Sequence, residues 1–171
     1  VYMKTAFKCV IISDTHGDFR PIWEVIEKEK PFDTLIHCGD VEGNLDAELG
    51  IQTFGYFSVK GNCDVFSEDE KERCLTLGYF RIFVTHGHQY HVRSGTEARA
   101  AEGCRKRADV ILYGHTHVPD IHRDKHTGIL IVNPGSLSRP RQNLRNRTYA
   151  VLTISENTLP QAEIRELAAR I

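Results

Sequence analysis

The sequence predicts an α/β protein, a four-layer α/β/β/α sandwich of two mixed sheets flanked by helices. Three observations carry this. Short apolar runs alternate with an amphipathic helical pattern in the first sixty residues, as β–α–β units do. Two later pairs of runs, around Gly78 and Gly128, are spaced as hairpins, which a uniformly parallel sheet would not need. Five runs stop abruptly at a residue of metal-ligand type, and strands sharing a sheet would bring such ends to one rim.

Taken in order, residues 7–13 read as a buried strand that ends in Asp14-Thr15-His16. Asp18 is placed to cap a helix starting near Pro21, because proline is tolerated at the first helical position. Ile22, Trp23, Val25 and Ile26 give that helix its apolar face, and Pro31 stops it at Lys30. Residues 35–38 form the next strand, 42–50 a loop with a short helix, and 56–59 a third strand. The charged stretch 67–72 reads as an exposed turn. Residues 73–77 and 79–85 pair across Gly78. Residues 95–107 read as a helix with Ala98, Ala101 and Cys104 inward. A strand at 109–113 precedes the second hairpin, 121–124 with 129–132. Residues 148–154 alternate well, and 159–164 follow weakly behind Pro160. No repeat or linker interrupts the chain, so residues 1–171 are expected to form one domain.

The formal net charge is -1, without the basic excess that usually marks a general nucleic-acid grip. No apolar stretch is long enough to span a bilayer. Met3 reads as the natural start, and the short run at residues 10–12, cut by Asp14, is not a signal sequence. The five cysteines are odd in number and form no C-x-x-C pair, which argues for a reducing cytoplasm. Cys9 and Cys38 read as small core residues.

Asp and His suit transition metals of intermediate hardness. In an extended segment Asp14 and His16 would both face one ion with Thr15 turned away, and His115 and His117 repeat that spacing. Gly39 lets the chain turn so that Asp40 reaches the rim, and Asn62 follows Gly61 in the same way. A carboxylate has two oxygens, so Asp40 can bridge two ions roughly 3.5–4 Å apart. Plainer readings apply elsewhere. His37 suits a satisfied core histidine, His91, His122 and His126 suit the surface, and Asp18 and Asp64 suit caps or turns. Arg139, Arg141, Arg145 and Arg147 form the one basic cluster, a solvated face or a phosphate clamp.

Taken together and in order, D-x-H, G-D, G-N, H-G-H and G-H-x-H resemble the calcineurin-like metallophosphoesterases. The compact size, Gly61-Asn62-Cys63-Asp64 and Asn133-Pro134-Gly135-Ser136 resemble its small YfcE-type phosphodiesterases. The resemblance spans residues 14–136. It implies a two-sheet sandwich and a metal-dependent phosphoesterase, above all a phosphodiesterase of small-molecule phosphate esters. It implies one ion held by Asp14, His16, Asp40 and His117, and another by Asp40, Asn62, His86 and His115. Mn is the expected metal, with Fe, Ni, Co or Zn as alternatives. Two divalent ions against two carboxylates leave the centre at about +2, suited to a phosphate ester and a metal-bridging hydroxide nucleophile.

Asp40, Asn62 and His88 are the expected catalytic residues, and Cys63, Arg139 and Arg141 the expected substrate contacts. Cys63 stands where many relatives carry a histidine that protonates the leaving group; a thiol does this poorly, which favours substrates with good leaving groups. The remaining expectations are a cytoplasmic protein without membrane or nucleic-acid partners, and a homodimer. Two other functions fit the pattern: a scaffold of the retromer-subunit type, whose metal site is degraded, and a nuclease using the arginines at 139–147.

Overall fold

The computed structural model describes residues 6–90 and 107–168. Among them are strands β1 (Ala6–Ile12), β2 (Thr34–His37), β3 (Gly55–Ser58), β4 (Glu72–Leu77) and β5 (Phe80–Thr85). Strands β6 (Val110–Leu112), β7 (Asp120–Arg123), β8 (Leu130–Asn133), β9 (Thr148–Ser155) and β10 (Thr158–Glu166) follow. Helices α1 (Arg20–Glu29) and α2 (Leu45–Leu49) connect the early strands, and His88–Tyr90 makes one 3-10 turn.

The strands form two mixed five-stranded sheets, ordered β10-β9-β1-β2-β3 and β4-β5-β6-β8-β7. In the first, β1, β2 and β3 are parallel and β9 and β10 antiparallel. In the second, β5, β6 and β8 are parallel and β4 and β7 antiparallel. The five motif-bearing runs are therefore not strands of one sheet. Three lie in the first and two in the second, because the hairpin at Gly78 starts a new sheet.

The period-2 side-chain alternation of each strand builds the layers. In β1, Cys9 and Ile11 face the second sheet, where they meet Ile82, Val84, Val110 and Leu112. Val10 and Ile12 face the other way, onto Ile22, Val25 and Ile26 of α1. A third apolar group, with Phe83, Ile111 and Ile131, lies on the outer face of the second sheet. Strands buried on both faces explain why these runs are continuously apolar. Each fully buried Ile, Leu or Val contributes roughly 1.5–3 kcal/mol. The helix expected at 95–107 falls outside the described residues except for Arg107.

Local signals mostly act where expected. Pro21 sits in the first turn of α1, and Lys30 closes it through its N–H to Ile26 O. Phe19, not Asp18, is the N-cap; the Asp18 carboxylate instead accepts the Arg20 N–H at 3.3 Å and its guanidinium at 3.0 Å. Asn44 caps α2 by accepting from Ala47 N–H at 2.9 Å. β10 is longer than expected, and its register with β9 shifts between Thr158 and Gln161, around a Pro160 that has no N–H to donate. His122 is half-buried with Nδ1 on Asp120, because its strand turns it inward; it is not the surface residue expected. His126 is exposed, and His91 lies outside the described residues.

A buried charge cluster ties α1 to β9 and β10. Glu29 is 2% exposed and accepts Tyr149 OH at 2.5 Å, Arg165 at 2.5 Å and Lys8 at 3.0 Å. Burial pushes this carboxyl up, but those three donors outweigh it and hold the pKa at about 2, against an ordinary 4.5. A carboxyl depressed by folding stabilises the protein above its unfolded pKa and loses that contribution as pH falls toward the folded value. Glu29→Gln is therefore expected to flatten the acid limb of stability below pH 4.5. At neutral pH it should cost roughly 3–5 kcal/mol, since Arg165 and Lys8 lose their counter-charge. Urea midpoints measured across pH check this; a wild-type-like acid limb in the variant would refute it.

Candidate metal centre

All six parallel strands deliver residues to one rim shared by both sheets. Asp14 and His16 follow β1, Asp40 follows β2 and Asn62 follows β3. His86 follows β5, His115 and His117 follow β6, and Asn133 to Ser136 leave β8. The two D-x-H-type pairs do not alternate along extended chain, as the spacing suggested. Asp14, His16, Asp40, His115 and His117 all sit at positive φ, between 47° and 71°. Such a conformation costs a side-chain-bearing residue roughly 1–2 kcal/mol. It persists because neighbours fix it: Asp14 N–H donates to Gly39 O and His16 N–H to Asp40 O, each at 3.0 Å.

Glycines let these turns nest. Gly39 combines a φ of 98° with a position where a Cβ would stand 2.7 Å from His86 Nδ1. A Cβ on Gly61 would meet Asp40 Oδ1 at 2.1 Å, and one on Gly114 would meet Ser13 Oγ at 2.0 Å. In the last two, close approach to a rim residue explains the glycine.

The imidazoles are oriented from behind. His86 Nδ1 lies 2.7 Å from Cys38 O, and His117 Nδ1 lies 2.7 Å from Arg139 O. A carbonyl only accepts, so each Nδ1 carries a proton, and a ring that holds no second proton turns a bare Nε2 inward. His16 Nδ1 likewise donates to Glu42 Oε1 at 2.5 Å. The inward atoms then face one another as acceptors. His16 Nε2 is 3.2 Å from His117 Nε2, and His117 Nε2 is 3.1 Å from Asp14 Oδ1. His86 Nε2 is 3.1 Å from Asn62 Oδ1 and 3.3 Å from Asp40 Oδ2. The His115 ring stands edge-on to His86, centroids 5.2 Å apart, and its backbone N–H donates to Asp14 Oδ2.

Lone pairs packed this closely call for cations between them. Asp14 Oδ1 is buried with no hydrogen bond, the kind of orphaned oxygen that a bound ion satisfies. Among the described residues three donor groups could each hold an ion: Asp14 with His16 and His117, Asp14 with Asp40 and His86, and His16 with Asp40 and Cys63. Burial pushes Asp40 up, but a proton on His86 Nε2 in the metal-free site and the Cys63 N–H outweigh it and hold the carboxyl below the usual range. The carboxylates around His86 outweigh its burial and raise it, so protons and cations compete for the same lone pairs.

Two supporting roles, those of Glu42 and Asp64, escaped the sequence reading, whereas Asn133 to Ser136 belong to the segment that carried the resemblance. Glu42 fixes His16, and its carboxylate brings the centre with two divalent ions closer to +1 than to +2. Asp64, expected as a turn former, accepts the N–H groups of Asp40 and Gly61 at 2.8 Å and of Glu42 at 2.7 Å. Ser136 and Ser138 hydroxyls donate to Asp14 O, and Asn133 Nδ2 holds Gly114 O. For Glu42 and Asp64 the one available signal was their place just after the motifs. His37 is the satisfied core histidine expected: it accepts Gly39 N–H on Nδ1 and donates to Thr15 Oγ1 from Nε2, and burial lowers it to about 4.

The remaining candidates lie at the mouth. His88 stacks near His86 and His115, with Nδ1 buried and unbonded. Cys63 is exposed, its thiol pushed up to about 12 by burial and by the neighbouring Asp40 and Glu42 carboxylates. Arg139 and Arg141 are exposed and make no ion pair among the described residues; their backbones, not their guanidiniums, touch His117.

Comparison with known proteins agrees with this geometry. Residues 7–157 match the family model of the calcineurin-like phosphoesterase superfamily domain. The chain is 36% identical over 154 residues to the probable metallophosphoesterase YsnB of Bacillus subtilis, covering 86% of this chain and 85% of that protein. It is 28% identical to the phosphodiesterase YfcE of Escherichia coli, covering 89% and 95%. A predicted phosphoesterase from Streptococcus pneumoniae superposes with a TM-score of 0.77 at 27% identity, over 95% of this chain and all 100% of that one. Vps29 of Entamoeba histolytica complexed with zinc shares the fold, with a TM-score of 0.73 at 20% identity over 93% and 98%. The chain belongs to the calcineurin-like phosphoesterase superfamily.

Proposed function

We propose that the chain is a binuclear metal-dependent phosphodiesterase acting on small-molecule phosphate esters in the cytoplasm. The observation that carries this is the buried, unbonded Asp14 Oδ1 set among imidazoles with inward-facing Nε2 atoms. Asp14, His16, Asp40 and His117 hold one ion, and Asp40, Asn62, His86 and His115 the other. Histidine-rich ligation suits Mn, Fe, Co, Ni or Zn better than Mg. When bound, two such cations lower the pKa of water toward about 7 and draw charge from the phosphoryl oxygens. Asp40 keeps the two poles together, and Asn62 directs its carbonyl oxygen to the His86 side. Arg139 and Arg141, which make no ion pair among the described residues, offer guanidiniums for the phosphate at the mouth.

A nuclease is disfavoured by a groove of about 940 Å³ that opens beside Cys63 and is walled by Glu42, Asp46, Glu68 and Asp69. A polyanionic strand would meet those carboxylates. The relatives' phosphodiesterase and metallophosphoesterase names support the hydrolytic reading over a scaffold. The test is hydrolysis of bis(4-nitrophenyl) phosphate and of the matching monoester with added Mn²⁺. Diester turnover above monoester turnover is expected; no turnover with any of the five metals would favour the scaffold.

His88 is the proton donor in this reading. Burial and the nearby His86 place its pKa below 6.5. A group that must be protonated to act then gives a rate that falls as pH rises through that lowered value. His88→Ala is expected to remove this limb for alkyl diesters, slowing them about 10²–10⁴-fold. Nitrophenyl diesters, whose leaving group needs no proton, should be almost unaffected. An unchanged pH profile with normal metal content would remove His88 from the mechanism.

A further inference from the structure

We propose that Cys63 is a further metal ligand, giving the pole of the centre at His16 and Asp40 a soft sulfur donor and a bias toward zinc and cobalt over manganese and magnesium. The proposal rests on the metal-centre reading above. Donor atoms of His16, Asp40 and Cys63 all lie within 4.8 Å of one another. Donors sharing one ion at about 2.0–2.3 Å stand roughly 3–3.5 Å apart, so an inward shift of about an ångström or more completes the set.

The chain already aims the sulfur there. The Cys63 N–H donates to Asp40 Oδ1 at 2.8 Å, which pins residue 63 against the carboxylate that joins the two poles. Asn62 Nδ2 lies 3.4 Å from Sγ while its Oδ1 turns to His86, so one amide spans the thiol and the opposite pole. A separate observation points to a cation in the same space: Asp14 Oδ1 is buried, unbonded and 3.9 Å from His16 Nε2. As a substrate contact a thiol is only a weak hydrogen-bond donor, whereas as a ligand it is strong and selective. The thiol proton leaves to water as the sulfur–metal bond forms.

The experiment uses the whole chain loaded with Co²⁺ under reducing, anaerobic conditions. A sulfur-to-cobalt charge-transfer band in the near ultraviolet is expected. Cys63→Ser should lose this band and keep the weaker visible bands of bound cobalt. A Cys74→Ser/Cys104→Ser variant, which removes an exposed thiol and one outside the described residues, should keep it. Zn²⁺ affinity measured by chelator competition should fall at least about tenfold in Cys63→Ser, with Mn²⁺ affinity little changed. Cobalt bound by the wild type without the band overturns the ligand assignment and leaves the metal centre standing. No cobalt binding at all overturns both.

Discussion

Asp40→Asn is expected to fold, to bind metal weakly and to lose at least about 10³-fold in turnover of an aryl phosphodiester. Folding survives because the amide can reproduce the apo contacts. Its oxygen can accept the Cys63 N–H as Oδ1 does now, and its NH₂ can donate to the bare His86 Nε2 that Asp40 Oδ2 faces at 3.3 Å. What the amide cannot do is offer two anionic oxygens to two cations. The loss should appear in stability as well as rate. A ligand at a hundred times its Kd stabilises the folded state by about 2.7 kcal/mol. In a chain of this size that is about 5–10 °C in Tm. Adding Mn²⁺ should therefore raise the wild-type Tm by this amount and leave the variant almost unmoved. A variant whose Tm responds to Mn²⁺ like the wild type would remove Asp40 from the shared position.

The order of the strands and the identity of the rim residues were legible in the sequence, for a physical reason. A run buried on both faces, such as Cys9 to Ile12, is apolar throughout, so the first polar residues after it, Ser13 to Thr15, stand out as groups that need partners and mark the rim even though they too are buried. The hairpins announced themselves through Gly78 and Gly128, both of which adopt positive φ. Three features were not legible. The division of the five runs between two sheets depends on pairing partners far apart in sequence, and no single run encodes it. The left-handed turns at Asp14, His16, Asp40, His115 and His117 contradict local preference and exist only because tertiary contacts impose them. Glu42 and Asp64 look like ordinary loop composition until the groups they satisfy, the His16 ring and three backbone N–H groups, are in view. Nor does the sequence single out Glu29, which lies beneath Arg165.

Gly61→Ala is expected to lower kcat/KM by about 10² or more, the scale of a one-ångström misplacement, with a stability cost of about 1–3 kcal/mol. Backbone conformation is not the reason, since Gly61 is not among the residues at positive φ. The added methyl would lie 2.1 Å from Asp40 Oδ1 and 2.4 Å from Asp40 N. The second of these is backbone, held in place by Asp64, whose Oδ2 accepts both Asp40 N–H and Gly61 N–H at 2.8 Å. The methyl must therefore wedge apart two loops joined through one oxygen, moving Asp40 and Asn62 together and in opposite directions. Gly55→Ala is the matched control, because its methyl would find only ordinary contacts at 3.7 Å or beyond. It should leave rate and metal content unchanged. Metal analysis alongside kinetics separates the outcomes: Gly61→Ala should retain less than the wild-type complement of Mn²⁺. If it bound the full complement and turned over at the wild-type rate, the close packing of the two loops would have no part in positioning Asp40.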